Sequence, residues 1–287
     1  MPISVVDTPR EGFLPDWVDP VHESDLIERR RAIHMTPEVG WCEFLSTARA
    51  AEVLSGLGFE VKVGREILQP DYVRGRDPEE AQHAELYAKD QGVPRQLLDR
   101  MGGLTGCVAV FDTKRPGKTV CIRAELDALY VSEPEDPEHL PARENFHSMR
   151  PGVMHACGHD GHVAGVLLAA HALVKRRENL AGDVVLIIQP GEEGYAGARE
   201  MIEDGLFERF PVDEIYGVHC AGELPLGVIG FTKGAQCAAA DHFRITVKGV
   251  GGHGARPHKT VDPVVASGIL IGALQTIVSR SVDPMRP

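Results

Sequence analysis

The chain has 287 residues, 43% hydrophobic and 25% charged, a balance that builds a sizeable core and excludes disorder as the dominant state. Lys and Arg number 30 against 42 Asp and Glu, and the net charge of −12 argues against non-specific binding to nucleic acid or an anionic membrane. No uninterrupted apolar run reaches the roughly 18 residues of a membrane span, and no basic-then-apolar leader opens the chain; a cytoplasmic protein is expected.

Six cysteines (42, 107, 121, 157, 220, 237) include no Cys-x-x-Cys pair, so reduced thiols are expected, and any that meets histidines becomes a candidate ligand. Four histidines, His155, His159, His162 and His171, fall within 17 residues.

In chain order, Leu26, Ile27, Arg30 and Ile33 follow a candidate N-cap at Ser24 with helical spacing. Phe44, Ala48, Ala51, Leu54 and Leu57 mark a second helix, stopped by Gly56 and Gly58. Residues 60–63 alternate as a strand. Segment 69–103 is more polar and reads as an insertion or surface excursion, with a helix from 77 to 89. Residues 107–111 and 119–123 flank the turn at 116–118 and predict a hairpin. The apolar runs at 183–189 and 214–218 read as buried strands, with helices near 161–177 and 196–206. Together they predict an α/β class with a mixed, largely parallel sheet flanked by helices. Segment 132–150, acidic and proline-rich, reads as a solvated loop. After Cys237, residues 242–248 alternate, a glycine cluster follows, and Asp262-Pro263 opens an apolar helix to Ser279. The expected division is a catalytic domain at 1–237 and the start of a smaller α+β domain at 238–287.

In open α/β sheets the chemistry gathers beyond the carboxyl ends of strands. The strand at 119–123 leads into Glu125 and Asp127, that at 183–189 into Glu192 and Glu193, and that at 214–218 into His219. Cys157, His159, Glu193 and His219 supply thiolate, imidazole and carboxylate, a donor set that suits Zn²⁺ or Mn²⁺. On an extended segment Glu192 and Glu193 would point apart, leaving one to bind metal and the other to take a proton from water. His155 and His162 read as supporting or surface residues. A redox-cofactor reading is disfavoured.

Three motifs, 154–162 (MHACGHDGH), 189–194 (QPGEEG) and 251–258 (GGHGARPH), resemble the metallopeptidase-like amidohydrolases of peptidase family M20. That family includes hippurate hydrolase, the auxin-conjugate hydrolases, N-acetyl-diaminopimelate deacetylase and, more distantly, carboxypeptidase G. Gly40-Trp41, Glu43-Phe44, Gly64-Arg65-Glu66 and Pro151-Gly152-Val153-Met154 look most like its aminobenzoyl-glutamate utilisation branch.

The resemblance implies a zinc-exopeptidase-like fold with a lid or dimerisation domain. It implies two divalent ions, Mn²⁺ or Zn²⁺, held by Cys157, His159, Glu193 and His219, with Glu192 as general base. Asp127 would orient a ligand, and His253 would reach from the lid into a neighbouring active site to polarise the substrate carbonyl. The implied substrate is an N-acyl or N-aroyl amino acid, foremost p-aminobenzoyl-glutamate, and the implied partner is a second copy or a related subunit. Two positions depart from the usual pattern: Glu125 stands where Asp is usual, and Gly191 where Ala is usual. Relatives continue past the point matching Pro287 and supply a further ligating histidine, so either the chain is truncated or its second metal is incompletely held. The alternatives are an inactive fragment of such an enzyme and a hydrolase of acetylated or indole-type conjugates.

Overall fold

The computed structural model describes residues 4–6, 20–225, 227–234 and 243–282. The chain forms two compact units, Thr8–Leu226 and a smaller one of Met1–Asp7 with Gly227–Pro287. The first strand, β1 (Ser4–Val6), belongs to the smaller unit.

The larger unit opens with α1 (Pro20–Met35) and α2 (Phe44–Gly56), then β2 (Glu60–Val63), α3 (Pro78–Asp90), α4 (Arg95–Met101) and β3 (Cys107–Asp112). It continues through β4 (Val120–Glu125), α5 (Leu140–Arg143), α6 (His159–Lys175), β5 (Asp183–Gln189), α7 (Gly197–Glu203), α8 (Leu206–Arg209) and β6 (Glu214–Gly217). Five strands make one mixed sheet in the order β2-β3-β5-β4-β6, antiparallel at β2-β3 and β3-β5, parallel at β5-β4 and β4-β6.

The strand period of two fills two cores. On β5, Val184, Leu186 and Ile188 join the cluster under α2 and α6, while Val185 and Ile187 join the opposite cluster with Trp41, Met201 and Leu206. A strand apolar on both faces belongs at the centre of a sheet.

That placement overturns the predicted hairpin. β5 lies between β3 and β4, and the connection 113–119 crosses its start, where Gly182 N–H donates to Arg115 O at 2.9 Å. Turn chemistry at 116–118 is local, whereas β5 competes for both strand edges from far along the chain. Helix α1 also starts ahead of Ser24, so that residue lies inside it rather than capping it. The 69–103 segment is no mere excursion: Ala81, Ala84, Ala88, Leu98 and Met101 are buried in the main core. Asp77 caps α3, accepting from the N–H groups of Glu79 and Glu80.

The 132–150 segment departs most from a solvated loop. Glu133 is buried, and its Oε1 meets His34 Nε2 at 2.8 Å and His139 Nε2 at 2.8 Å. His34 Nδ1 reaches Asp160 Oδ2 at 2.7 Å, tying α1 to the first turn of α6. Bridging two carboxylates requires His34 to donate from both nitrogens, as the imidazolium. Burial alone would lower its pKa; the Asp160 and Glu133 carboxylates outweigh burial and raise it. Stabilisation from this group is therefore complete below the ordinary histidine pKa and is lost as pH rises through the raised one. His34→Ala removes the cation shared by two buried carboxylates, leaving Asp160 to Arg30 and Glu133 to His139 and the Ser148 N–H, and is expected to cost about 1–3 kcal/mol, read by urea unfolding at pH 6.

In the smaller unit, β1 pairs antiparallel with β7 (Ile229–Phe231). Asp262 caps α9 (Pro263–Thr276) through the N–H groups of Val264 and Val265. Residues 243–249 form no strand, because no described segment supplies the ladder their alternation requires, and Phe243 is 71% exposed. His242, where that strand was predicted to begin, and Cys237 lie outside the described residues. By length and composition, Pro263–Ser281 is long and apolar enough to cross a membrane, although no unbroken apolar run marks it.

Candidate active site

The three parallel strands deliver their carboxyl ends to one place. Asp127 follows β4, Glu192 and Glu193 follow β5, His219 follows β6, and Cys157 and His159 stand where α6 begins. Gly158 makes the approach to α6 possible: its φ of +80° lies in the left-handed region, which costs glycine nothing.

His159 is the hub. It is fully buried, with Nδ1 3.5 Å from Asp127 Oδ1 and Nε2 3.9 Å from Glu192 Oε2 and 3.8 Å from Glu193 Oε1. Burial lowers its pKa, but Asp127, Glu125 and Glu193 together raise it. Cys157 Sγ lies 3.3 Å from His219 Nε2, whose ring donates from Nδ1 to Cys220 O at 2.7 Å. That bond fixes the tautomer and leaves the Nε2 lone pair toward the thiol, the arrangement a ligating imidazole needs.

Glu192 and Glu193 both approach His159, contrary to the expectation that adjacent side chains would diverge. The backbone there is a turn, with Gly191 at φ +59° and Gly194 at φ +80°. Asp127 holds it from below: Oδ1 accepts the Glu192 N–H at 3.0 Å and Oδ2 the Glu193 N–H at 2.7 Å. The Glu192 side chain is 41% exposed; partial burial, then the Glu193 charge, raise its pKa.

These residues fit a metal centre. The ligand atoms of Cys157, His159 and His219 lie within 4.8 Å of one another, as do those of His159, Glu192 and Glu193. Both ring nitrogens of His159 and Oε1 of Glu193 are buried without a hydrogen-bond partner among the described residues. Burial and the neighbouring Glu193 push the Cys157 thiol up to about 12, so a cation seated here would have to displace its proton.

Two further trios of possible ligands include His162. Its nitrogens are already engaged: Nδ1 is 2.9 Å from Glu125 Oε2, and Nε2 accepts the Cys220 N–H at 2.9 Å. His162 thus supports the turn that carries His219. His155 is buried, and burial pushes its pKa down to about 4. His253 sits exposed in the smaller unit, its Nδ1 accepting the Ala255 N–H at 3.1 Å.

The glycine at 191 has a local cause. A Cβ there would stand 3.0 Å from Trp41 Cε2, in a backbone conformation L-residues rarely adopt. Gly191→Ala is expected to destabilise the fold by about 1–2 kcal/mol, measured as a lowered urea midpoint at unchanged slope.

Sequence reasoning gave no role to Glu43, which accepts the Gly191 N–H at 2.7 Å and shares a 2.6 Å hydrogen bond with the Thr105 hydroxyl. Its sequence signals are a place in the Glu43-Phe44 pair that carries the resemblance and a charge set immediately before an apolar helix.

The model of the peptidase family M20/M25/M40 matches residues 121–285. Thermostable carboxypeptidase 2 of Saccharolobus solfataricus is 37% identical over 267 residues, 92% of this chain and 56% of the relative. A p-aminobenzoyl-glutamate hydrolase subunit homolog of Haemophilus influenzae is 34% identical over 256 residues, 88% of this chain and 60% of the relative. The chain thus spans a little over half the length of these relatives. Among solved structures, the YxeP protein of Bacillus subtilis, a dinuclear metal-binding peptidase from the M20 family, aligns with a TM-score of 0.52 at 31% identity. The alignment covers 72% of this chain and 45% of YxeP.

Proposed function

Because the chain belongs to the peptidase family M20/M25/M40, we propose that it is a metal-dependent amidohydrolase of N-acyl or N-aroyl amino acids, foremost p-aminobenzoyl-glutamate. The observation that carries this reading is a half-exposed carboxylate, Glu192, beside three donors, Cys157, Glu193 and His219, gathered around His159, whose ring nitrogens have no hydrogen-bond partner among the described residues. Cys157, His159, Glu193 and His219 would hold two divalent cations, Mn²⁺ or Zn²⁺, which when bound polarise the scissile carbonyl and acidify the attacking water.

Glu192 takes one proton from that water at a carboxylate oxygen as the oxygen adds to the amide carbon. The same proton then passes from Glu192 to the departing amine nitrogen, and the carboxylate is regenerated. Asp127 keeps the turn at 191–193 fixed throughout, and the expelled product pair is an acid and a free amino acid. His253, on the smaller unit that we take as the start of a lid, would steady the carbonyl oxygen in a neighbouring copy.

Relatives named for both carboxypeptidase and p-aminobenzoyl-glutamate hydrolase activity support the amide-cleaving class more strongly than one substrate. That the second of these is named as one subunit of its hydrolase supports a second subunit as partner. The deciding assay is p-aminobenzoate release from p-aminobenzoyl-glutamate with added Mn²⁺, run beside N-acetyl and indole-acetyl amino acids, with Glu192→Gln as blank. Turnover of one substrate class above the blank is expected; none with any class, for a chain that binds metal, removes the enzymatic reading.

A further inference from the structure

Glu43 is fully buried, yet neither the proton transfer nor the donor set around His159 uses it. It stands at the N-cap of α2, where an acid ordinarily accepts the first free backbone N–H groups. Here Glu38 has taken that task, accepting the Leu45 N–H at 2.9 Å and the Ser46 N–H at 2.7 Å. Glu43 makes no capping bond and turns to the sheet instead, where Oε1 receives the Gly191 N–H and Oε2 meets Thr105 Oγ1.

Two buried acids consequently hold three successive N–H groups of one turn: Gly191 on Glu43, Glu192 and Glu193 on Asp127. Placing a second acid near Asp127 is costly: burial and the Asp127 charge push the Glu43 carboxyl up to about 8. The neutral acid still accepts from Gly191 through its carbonyl oxygen.

We propose that Glu43 is a positioning residue for Glu192, clamping the Gly191 amide so that the turn presents the Glu192 carboxylate to the site. The catalytic half of this inference rests on Glu192 being the general base; the clamp itself does not. Without its acceptor, the Gly191 N–H is a buried orphan and the turn relaxes toward water. An apolar replacement of similar length, Glu43→Met, removes the acceptor without opening a cavity, whereas Glu43→Gln keeps it.

Hydrogen exchange resolved at the 189–195 segment tests the clamp on the whole chain. In Glu43→Met the Gly191 amide is expected to exchange at least tenfold faster, with Glu43→Gln within twofold of wild type. In Glu43→Met the Mn²⁺ dissociation constant is expected to rise about tenfold, because Glu193 shares the turn. In the turnover assay kcat is expected to fall at least thirtyfold, with KM within twofold and Glu43→Gln restoring the rate. Unchanged exchange in Glu43→Met, or faster exchange with metal affinity and kcat unaltered, overturns the proposal. Should Glu43→Met fail to fold, Thr105→Val decides, with a threefold faster Gly191 exchange expected and unchanged exchange overturning it. Full activity in Glu192→Gln would instead remove the base while leaving the exchange result to judge the clamp.

Discussion

Glu192→Gln is expected to lower kcat by roughly 10²–10⁴-fold, the range a positioned general base supplies, while KM and metal stoichiometry stay within twofold. The amide matches the carboxylate in size and can still hydrogen-bond water, but it cannot hold a proton between water and the leaving amine. Metal binding is expected to survive because the proposed ligands Cys157, His159, Glu193 and His219 are untouched, and because Asp127 grips the backbone N–H of residue 192 rather than its side chain. The pH profile gives an independent check. Partial burial first, then the Glu193 charge, raise the Glu192 pKa above the ordinary value of 4.5. The base works only when ionised, so kcat/KM of the metal-loaded protein falls as pH drops through the Glu192 pKa, and this acid limb disappears in the residual rate of Glu192→Gln. A rate unchanged by the substitution removes Glu192 from the proton-transfer role.

What the sequence made legible was local. β2 begins and ends where alternation places it, α3 starts at its Asp77 cap, and α9 at Asp262. The candidate donors were legible because each follows an apolar strand or opens a helix, and a parallel sheet brings such ends together. What stayed hidden depends on partners far along the chain. Glu43 meets Gly191 across 148 positions, and Glu133 meets His34 across 99, so no local pattern reports either contact. The same distance explains the missed strand order: a turn at 116–118 fits a hairpin until β5 claims both neighbouring edges. The facing pair at 192 and 193 escaped for another reason. It follows from positive φ at Gly191 and Gly194, which composition permits but does not announce.

Asp127→Asn is the second large effect, and it separates the electrostatic from the geometric work of one buried acid. The carboxylate accepts two backbone N–H groups, one on each oxygen. An asparagine has a single acceptor oxygen, so whichever way its amide turns, an NH₂ group faces the N–H of Glu192 or of Glu193. One buried donor is left opposed, at about 1–3 kcal/mol, and the turn carrying a ligand and the base must shift. His159 also loses the acid 3.5 Å from its Nδ1. Metal affinity is expected to weaken about 10–100-fold, the usual loss when a ligand's orienting partner goes, read by Mn²⁺ titration. Because base and ligand move together, kcat/KM is expected to fall by at least about 10²-fold. Stability moves the other way with pH. In the wild type, Glu43 stays protonated up to about 8, so the stability it contributes is lost as pH rises from the ordinary carboxyl pKa to that value. Removing the Asp127 charge lowers the Glu43 pKa, shortens that window, and flattens the loss between pH 6 and 8 in urea unfolding. An Asp127→Asn protein with wild-type metal affinity and an unaltered pH slope would mean that neither the turn nor Glu43 depends on this carboxylate.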